Sequence, residues 1–129
     1  MLTIERVLLS AVVALVLLVT LAGMAGLRLN LSPSVKGLVF WIDDGQAIRV
    51  DDYVSFCLPR ALDAVPEMAT ATVPVCMQDQ RGAPLLKRVV GIDNRGALYL
   101  VGEHPKSLDS RIFGWIISDA IKHRLVRVW

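Results

Sequence analysis

Leu85-Leu86-Lys87-Arg88-Val89-Val90-Gly91-Ile92-Asp93-Asn94-Arg95-Gly96-Ala97-Leu98-Tyr99-Leu100-Val101 is the stretch whose reading decides the fold. Leu85 to Ile92 is an apolar, β-branched run of strand length, Asp93-Asn94-Arg95-Gly96 is a turn, and Ala97 to Val101 is a second strand expected to pair with the first. Working outward, Gly37 to Ile42 and Val50 to Phe56 read as two further strands separated by the turn signal Asp43-Asp44-Gly45. Pro59, Pro66 and Pro74 make residues 58–82 a surface loop or loose hairpin rather than a central strand. Gly102 to Arg111 reads as a polar loop, Ile116 to Ile121 as one helical turn, and Leu125 to Trp129 as a closing strand. The expected fold is mostly β.

Upstream, Val7 to Leu27 carries no charge. As a helix it would be about 31 Å long, enough to cross a hydrocarbon core of roughly 30 Å. That run also accounts for the 54% hydrophobic content and the mean hydropathy of +0.53. The 129 residues therefore divide into a stub 1–6, a transmembrane helix 7–27 and one compact, mostly β domain 28–129. A cleaved signal peptide is the competing reading, with Gly23-Met24-Ala25 as small residues at a cleavage site, although its apolar region is usually only ~7–15 residues. Arg6 precedes the helix and Arg28 and Lys36 follow it, so local charge does not set orientation. Cys57 and Cys76 fit either one disulfide in an oxidising compartment or two buried thiols.

A net charge of +2 and 6% aromatic residues provide no basic stripe interleaved with stacking side chains, and so no support for nucleic-acid binding. For hydrolytic chemistry the only histidines are His104 and His123. Neither lies in a recognisable triad context, and Cys57, Cys76, His104 and His123 include no closely spaced pair of zinc ligands. A lysine base is the remaining choice. On a strand, Lys87 shares a face with Leu85 and Val89, where desolvation disfavours the charged form and lowers a pKa from its free value of about 10.4. The alternative is a lysine whose stem covers apolar surface while its ammonium reaches water.

Leu85-Leu86-Lys87-Arg88-Val89-Val90-Gly91 resembles the general-base box of the type I signal peptidase family. Gly102-Glu103-His104-Pro105-Lys106-Ser107-Leu108-Asp109-Ser110-Arg111-Ile112-Phe113-Gly114 is similar to the family's last box, which ends in Ser-x-Asp-Ser-Arg-x-x-Gly. Asn30-Leu31-Ser32-Pro33-Ser34-Val35-Lys36-Gly37-Leu38 resembles the nucleophile box of the conjugative-transfer branch, the TraF-like pilin peptidases, with Lys36 where that branch usually has proline. Asp51-Asp52-Tyr53-Val54-Ser55-Phe56-Cys57 is similar to the branch's Gly-Asp-x-Val-x-Phe-Cys strand. Glu103-His104-Pro105 departs from the usual Asp-Asn-Arg-like triplet. The four boxes stand in family order.

The resemblance implies a signal-peptidase-like antiparallel β domain behind a single transmembrane helix in the bacterial inner membrane, with the domain facing the periplasm. It assigns Ser34 as nucleophile and Lys87 as base of a Ser–Lys dyad, with the Ser32 hydroxyl and the Ser34 backbone N–H as the oxyanion hole. Ser107 would orient Lys87, and Asp109 and Arg111 would be structural supports. No cofactor or metal is implied. The implied substrate is a membrane-bound precursor such as a conjugative pilin, cleaved or cyclised head to tail. General preprotein processing and a non-catalytic subunit of a pilus or secretion assembly are the alternatives. A self-cleaving repressor of the related Ser–Lys class would need a DNA-binding module where this chain has an apolar helix.

Overall fold

The computed structural model describes residues 3–57 and 84–129. Helix α1 covers Ile4–Met24 and buries none of its residues against the rest of the chain. It is long and apolar enough to cross a membrane. Its two hydroxyls satisfy themselves inside the helix: Ser10 Oγ donates to Val7 O at 2.8 Å and Thr20 Oγ1 to Val16 O at 2.8 Å. Such internal pairing is what a polar group needs in a medium without water. The helix starts before Val7 and stops before Leu27 because Gly26 adopts φ +113°. That left-handed geometry ends helical pairing and turns Leu27 into a strand.

Six strands follow among the described residues: β1 (Leu27–Leu29), β2 (Val39–Ile42), β3 (Tyr53–Phe56), β4 (Leu85–Ile92), β5 (Leu98–Val101) and β6 (Ile121–Arg127). All their pairings are antiparallel, in one sheet of order β1-β2-β6-β3-β4-β5. The fold is an apolar N-terminal helix followed by a mostly β domain. The β4–β5 hairpin is as read from sequence, its turn closed by Asp93 Oδ1 accepting from Arg95 N and Ala97 N at 2.8 Å each.

Other boundaries differ from the sequence reading for local reasons. Leu27, read as the end of the helix, instead starts strand β1, because Leu27–Leu29 finds partners in Trp41–Val39. Strand β3 begins at Tyr53 rather than Val50, since Asp51 has φ +75° and Asp52 closes a turn by accepting from Arg49 N at 2.8 Å. A one-turn helix, α2 (Ser110–Phe113), lies in the expected polar loop, capped by Asp109. The expected helical turn at Ile116 to Ile121 shrinks to a 3-10 turn over Ser118–Ala120, and Ile121 already belongs to β6. Residues 58–82, read as a loop, and Cys76 lie outside the described residues. Cys57 is buried and disulfide-bonded.

The sheet carries a core on each side. Directly opposed residues share a face. Val54 lies opposite Lys87, and Phe56 opposite Leu85 and Ile121. This face joins the core of Val54, Phe56, Val89, Leu98, Leu100, Ile116 and Ala120. On the reverse face Tyr53 meets Leu125, and Ser55 meets Leu86 and His123. The second core is Val35, Phe40, Tyr53 and Leu125. Because β3 belongs to both, all four of its residues are buried.

Gly37 carries the chain from the Ser34 loop into β2 with φ +115°, and a Cβ there would lie 2.5 Å from Arg127 Cδ. Gly37→Ala is expected to destabilise the folded full-length chain in detergent by about 2 kcal/mol, from the left-handed geometry and the overlap together. Urea unfolding followed by tryptophan fluorescence checks it, and an unchanged midpoint would show that the turn relaxes freely.

Candidate functional site

Lys87 is 2% exposed, the third residue of the eight-residue strand β4, and lies on the sheet face that carries the first core. Burial pushes its pKa down to about 8; the nearby Asp109 carboxylate opposes that shift and the Arg111 guanidinium reinforces it. The Asp109 carboxylate is hydrogen-bonded to groups other than Lys87. Its Oδ1 accepts from Arg111 Nε at 2.9 Å, and its Oδ2 accepts from Arg111 NH2 at 2.5 Å and from Gly102 N at 2.8 Å. Burial alone would raise the Asp109 pKa, but the hydrogen bonds from Arg111 and Gly102 hold it below the usual carboxylate range. Among the described residues, Lys87 Nζ has no hydrogen-bond partner.

The register brings the other candidates toward this lysine. Arg88 lies opposite Val101, so one further step along the ladder sets Gly102 opposite Lys87. A side chain on Gly102 would overlap Ser107 and come within 2.9 Å of the Ser34 carbonyl oxygen. Glycine at 102 thus lets Ser34, Ser107 and the Lys87 strand converge. The convergence stops short of hydrogen bonding. Ser34 Oγ pairs with Ser32 Oγ at 2.8 Å, and Ser34 N donates to Ser32 Oγ at 3.3 Å. Ser107 Oγ is buried and has no hydrogen-bond partner among the described residues, so the expected orienting bond to Lys87 is not made here. An unmet buried hydroxyl costs about 1–3 kcal/mol.

The loop that carries Ser34 is shaped by Asn30. Its Nδ2 donates to Val35 O at 2.9 Å and to Gly37 O at 3.0 Å, while its Oδ1 accepts from Ser32 N at 3.0 Å. Val35 is anchored in the second core. The loop is thus fixed on the second core, with Ser32 and Ser34 on a cleft of about 560 Å³ whose other walls include Leu29, Leu31, Phe40, Leu86 and Leu125. That apolar lining suits an extended, apolar segment of a partner chain.

His123 also lines the cleft, and its Nδ1 lies 2.7 Å from Asp44 Oδ2. His104 sits apart on the loop after β5, its Nδ1 accepting from Lys106 N at 3.1 Å. Reading the sequence did not single out Asn30, Gly102, Glu103 or the Asp44–His123 pair as site residues. Asn30 and Gly102 open the two boxes quoted above, which was the available signal. The Asp44–His123 pair joins residues far apart in sequence and left none.

Comparison with known proteins gives no match: no family model, curated protein or solved structure is detectably similar to the chain.

The lowered pKa of Lys87 has a stability consequence with a definite sign. Below about 8 the folded chain bears the full penalty of burying this group, and above the ordinary value of 10.5 the penalty vanishes. Between those values the unfolded chain binds more protons, so stability rises with pH. Lys87→Met is expected to stabilise the full-length chain at pH 7 by on the order of 3 kcal/mol, with the advantage fading towards pH 10.5. Urea titrations at several pH values check this, and a destabilised Lys87→Met at pH 7 would mean that the ammonium is better paired than its surroundings indicate.

Proposed function

We propose that this chain is a serine peptidase of the Ser–Lys type, anchored in the cytoplasmic membrane by α1 with its β domain on the periplasmic side. Its substrate on this reading is a membrane-bound precursor such as a conjugative pilin. The observation that carries the proposal is the buried, weakly paired Lys87 opposite Gly102, where Ser34 and Ser107 also pack. A lysine of pKa about 8 has a substantial neutral fraction near neutral pH and can accept a proton.

The chemistry follows from the groups at hand. Ser34 Oγ turns from Ser32 toward Lys87 and attacks the scissile carbonyl carbon while its proton passes to neutral Lys87 Nζ. The rotation frees the Ser32 hydroxyl, which with the Ser34 N–H can donate to the developing oxyanion. Such a donor is typically worth ~2.7–4 kcal/mol in the transition state. Lys87 then returns the proton to the leaving amine, and an ester of Ser34 remains. Water resolves that ester to a cleaved product, and the substrate's own amino terminus resolves it to a cyclic one. Ser107, whose hydroxyl is buried without a partner among the described residues, would orient Lys87 on this reading. Because β1 follows α1 after two residues, the cleft stays close to the membrane surface, which raises the local concentration of a membrane-bound substrate.

A second reading is favoured by one observation, the Asp44–His123 pair on the wall of the same cleft. An Asp-held imidazole is an alternative general base.

Co-expression with a conjugative pilin precursor, followed by intact-mass analysis, separates the readings. Wild type is expected to process the precursor, whereas Ser34→Ala and Lys87→Arg should reduce processing at least 1,000-fold by analogy with loss of other catalytic dyad members. Arginine keeps the positive charge and cannot act as a base. His123→Ala should retain most activity. Substantial processing by Lys87→Arg together with loss in His123→Ala would replace the lysine with the histidine.

The rate should rise with pH through about 8, as Lys87 gives up its proton. Initial rates from pH 6 to 10 check this, and a rising limb centred well below 7 would exclude Lys87 as the base.

A further inference from the structure

The backbone of Lys36, two residues beyond Ser34, is held on both sides of its Cα. Lys36 N–H donates to Glu103 Oε2, and Lys36 O accepts from Arg127 NH1 at 3.0 Å. The other carboxylate oxygen of Glu103 accepts from Tyr53 Oη at 3.1 Å and lies 3.9 Å from Arg127 NH1. Arg127 in turn stacks over the Tyr53 ring, 5.2 Å from its centroid. The backbone of Glu103 makes a separate bond, its N–H donating to Ser34 O at 2.6 Å. One residue therefore holds positions 34 and 36 at once.

Three features make this grip a device for placing Ser34. The Glu103 side chain is only 18% exposed, and a hydrogen bond to a carboxylate in such a site is roughly twice as strong as a neutral one. Glu103 follows Gly102, which stands opposite Lys87, so whatever Glu103 holds is held relative to the base. The Ser34 loop itself belongs to no strand, so its distance from Lys87 is set by such side-chain bonds and by Asn30.

We propose, resting on the reading of Ser34 as nucleophile, that Glu103 is a positioning residue: its carboxylate clamps the Lys36 peptide N–H and thereby fixes Ser34 relative to Lys87. The side chain of Lys36 is exposed and takes no part; the backbone donor does. Proline at position 36, the residue usual in the branch that the nucleophile box resembles, removes that donor, so Lys36→Pro asks whether this chain has come to depend on it; glutamine at 103 keeps the shape but presents an NH2 group to one of the two donors that the carboxylate accepts.

The test uses the full-length chain in proteoliposomes with the pilin precursor, comparing wild type, Ser34→Ala, Glu103→Gln, Lys36→Pro and the double variant Glu103→Gln/Lys36→Pro. Glu103→Gln and Lys36→Pro should each lower kcat about 10–100-fold with KM little changed, as expected when a reacting group is misplaced by about 1 Å. The double variant should lose no more than the worse single variant, because both break the same bond. Amide exchange of residues 34–37, read by mass spectrometry, should quicken in Glu103→Gln. Multiplicative losses in the double variant, or wild-type kcat in Glu103→Gln while Ser34→Ala is inactive, would overturn the clamp and leave the dyad standing. If wild type and Ser34→Ala process the precursor equally, or neither does, the peptidase reading fails. Amide exchange then decides the clamp alone: unchanged exchange in Glu103→Gln overturns it and faster exchange upholds it. Lys36→Pro keeps the kinetic test open if Glu103→Gln does not fold.

Discussion

The ammonium of Lys87 lies inside an apolar core, and the surrounding structure depends on how that charge is handled. A buried cation is normally neutralised by a dedicated carboxylate or loses its proton. Here the nearest carboxylate, Asp109, is spent on Arg111 and on the Gly102 N–H. Arg111 is itself a positive charge close enough to oppose protonation of Lys87. The arrangement thus leaves the lysine desolvated and only partly compensated, which a chain selected for stability alone would avoid by placing an apolar side chain there. A destabilised ionisable group held in place by a packed scaffold is a common mark of a functional position.

The segment between β5 and α2 organises everything else near that lysine. Asp109 caps α2 and ties it back to the start of the loop at Gly102. Ser110 Oγ accepts from Leu100 N at 2.9 Å, pinning the same turn to β5. With both ends fastened, the loop can present Ser107 beneath Gly102 and Glu103 above the Ser34 loop without strand pairing of its own. The Ser107 hydroxyl is left buried without a partner among the described residues, which is costly.

The serine and the lysine arrive from different parts of the molecule. Lys87 rides on a central strand flanked by β3 and β5, where ladder hydrogen bonds and core packing fix it rigidly. Ser34 rides on an irregular loop whose shape comes from Asn30, Glu103 and the anchoring of Val35 in the second core. On the proposed reading, the lysine would be placed by the sheet and the serine by side-chain bonds to its loop. The cleft on which Ser34 opens is apolar along its walls, so binding there is driven by burial and oriented by few polar contacts.

Much of this was legible in the sequence, because the relevant signals are local. The uncharged run Val7 to Leu27 specified a helix long enough for a bilayer, and the β-branched stretch around Lys87 with its Asp-Asn-Arg-Gly turn specified a hairpin, since periodicity and turn chemistry act over a few residues. The candidate residues Ser32, Ser34, Lys87, Ser107, Asp109 and Arg111 were named from the resemblance of short motifs to a known family. Tertiary structure decided what spacing cannot encode. It placed β6 between β2 and β3, turned Leu27–Leu29 into an edge strand, and gave β3 a core on each face. It also set Glu103 on the Lys36 peptide and Asp44 on His123, pairs separated by 67 and 79 positions. Such contacts depend on which strands become neighbours, and that is settled only when the whole chain buries its apolar surface at once.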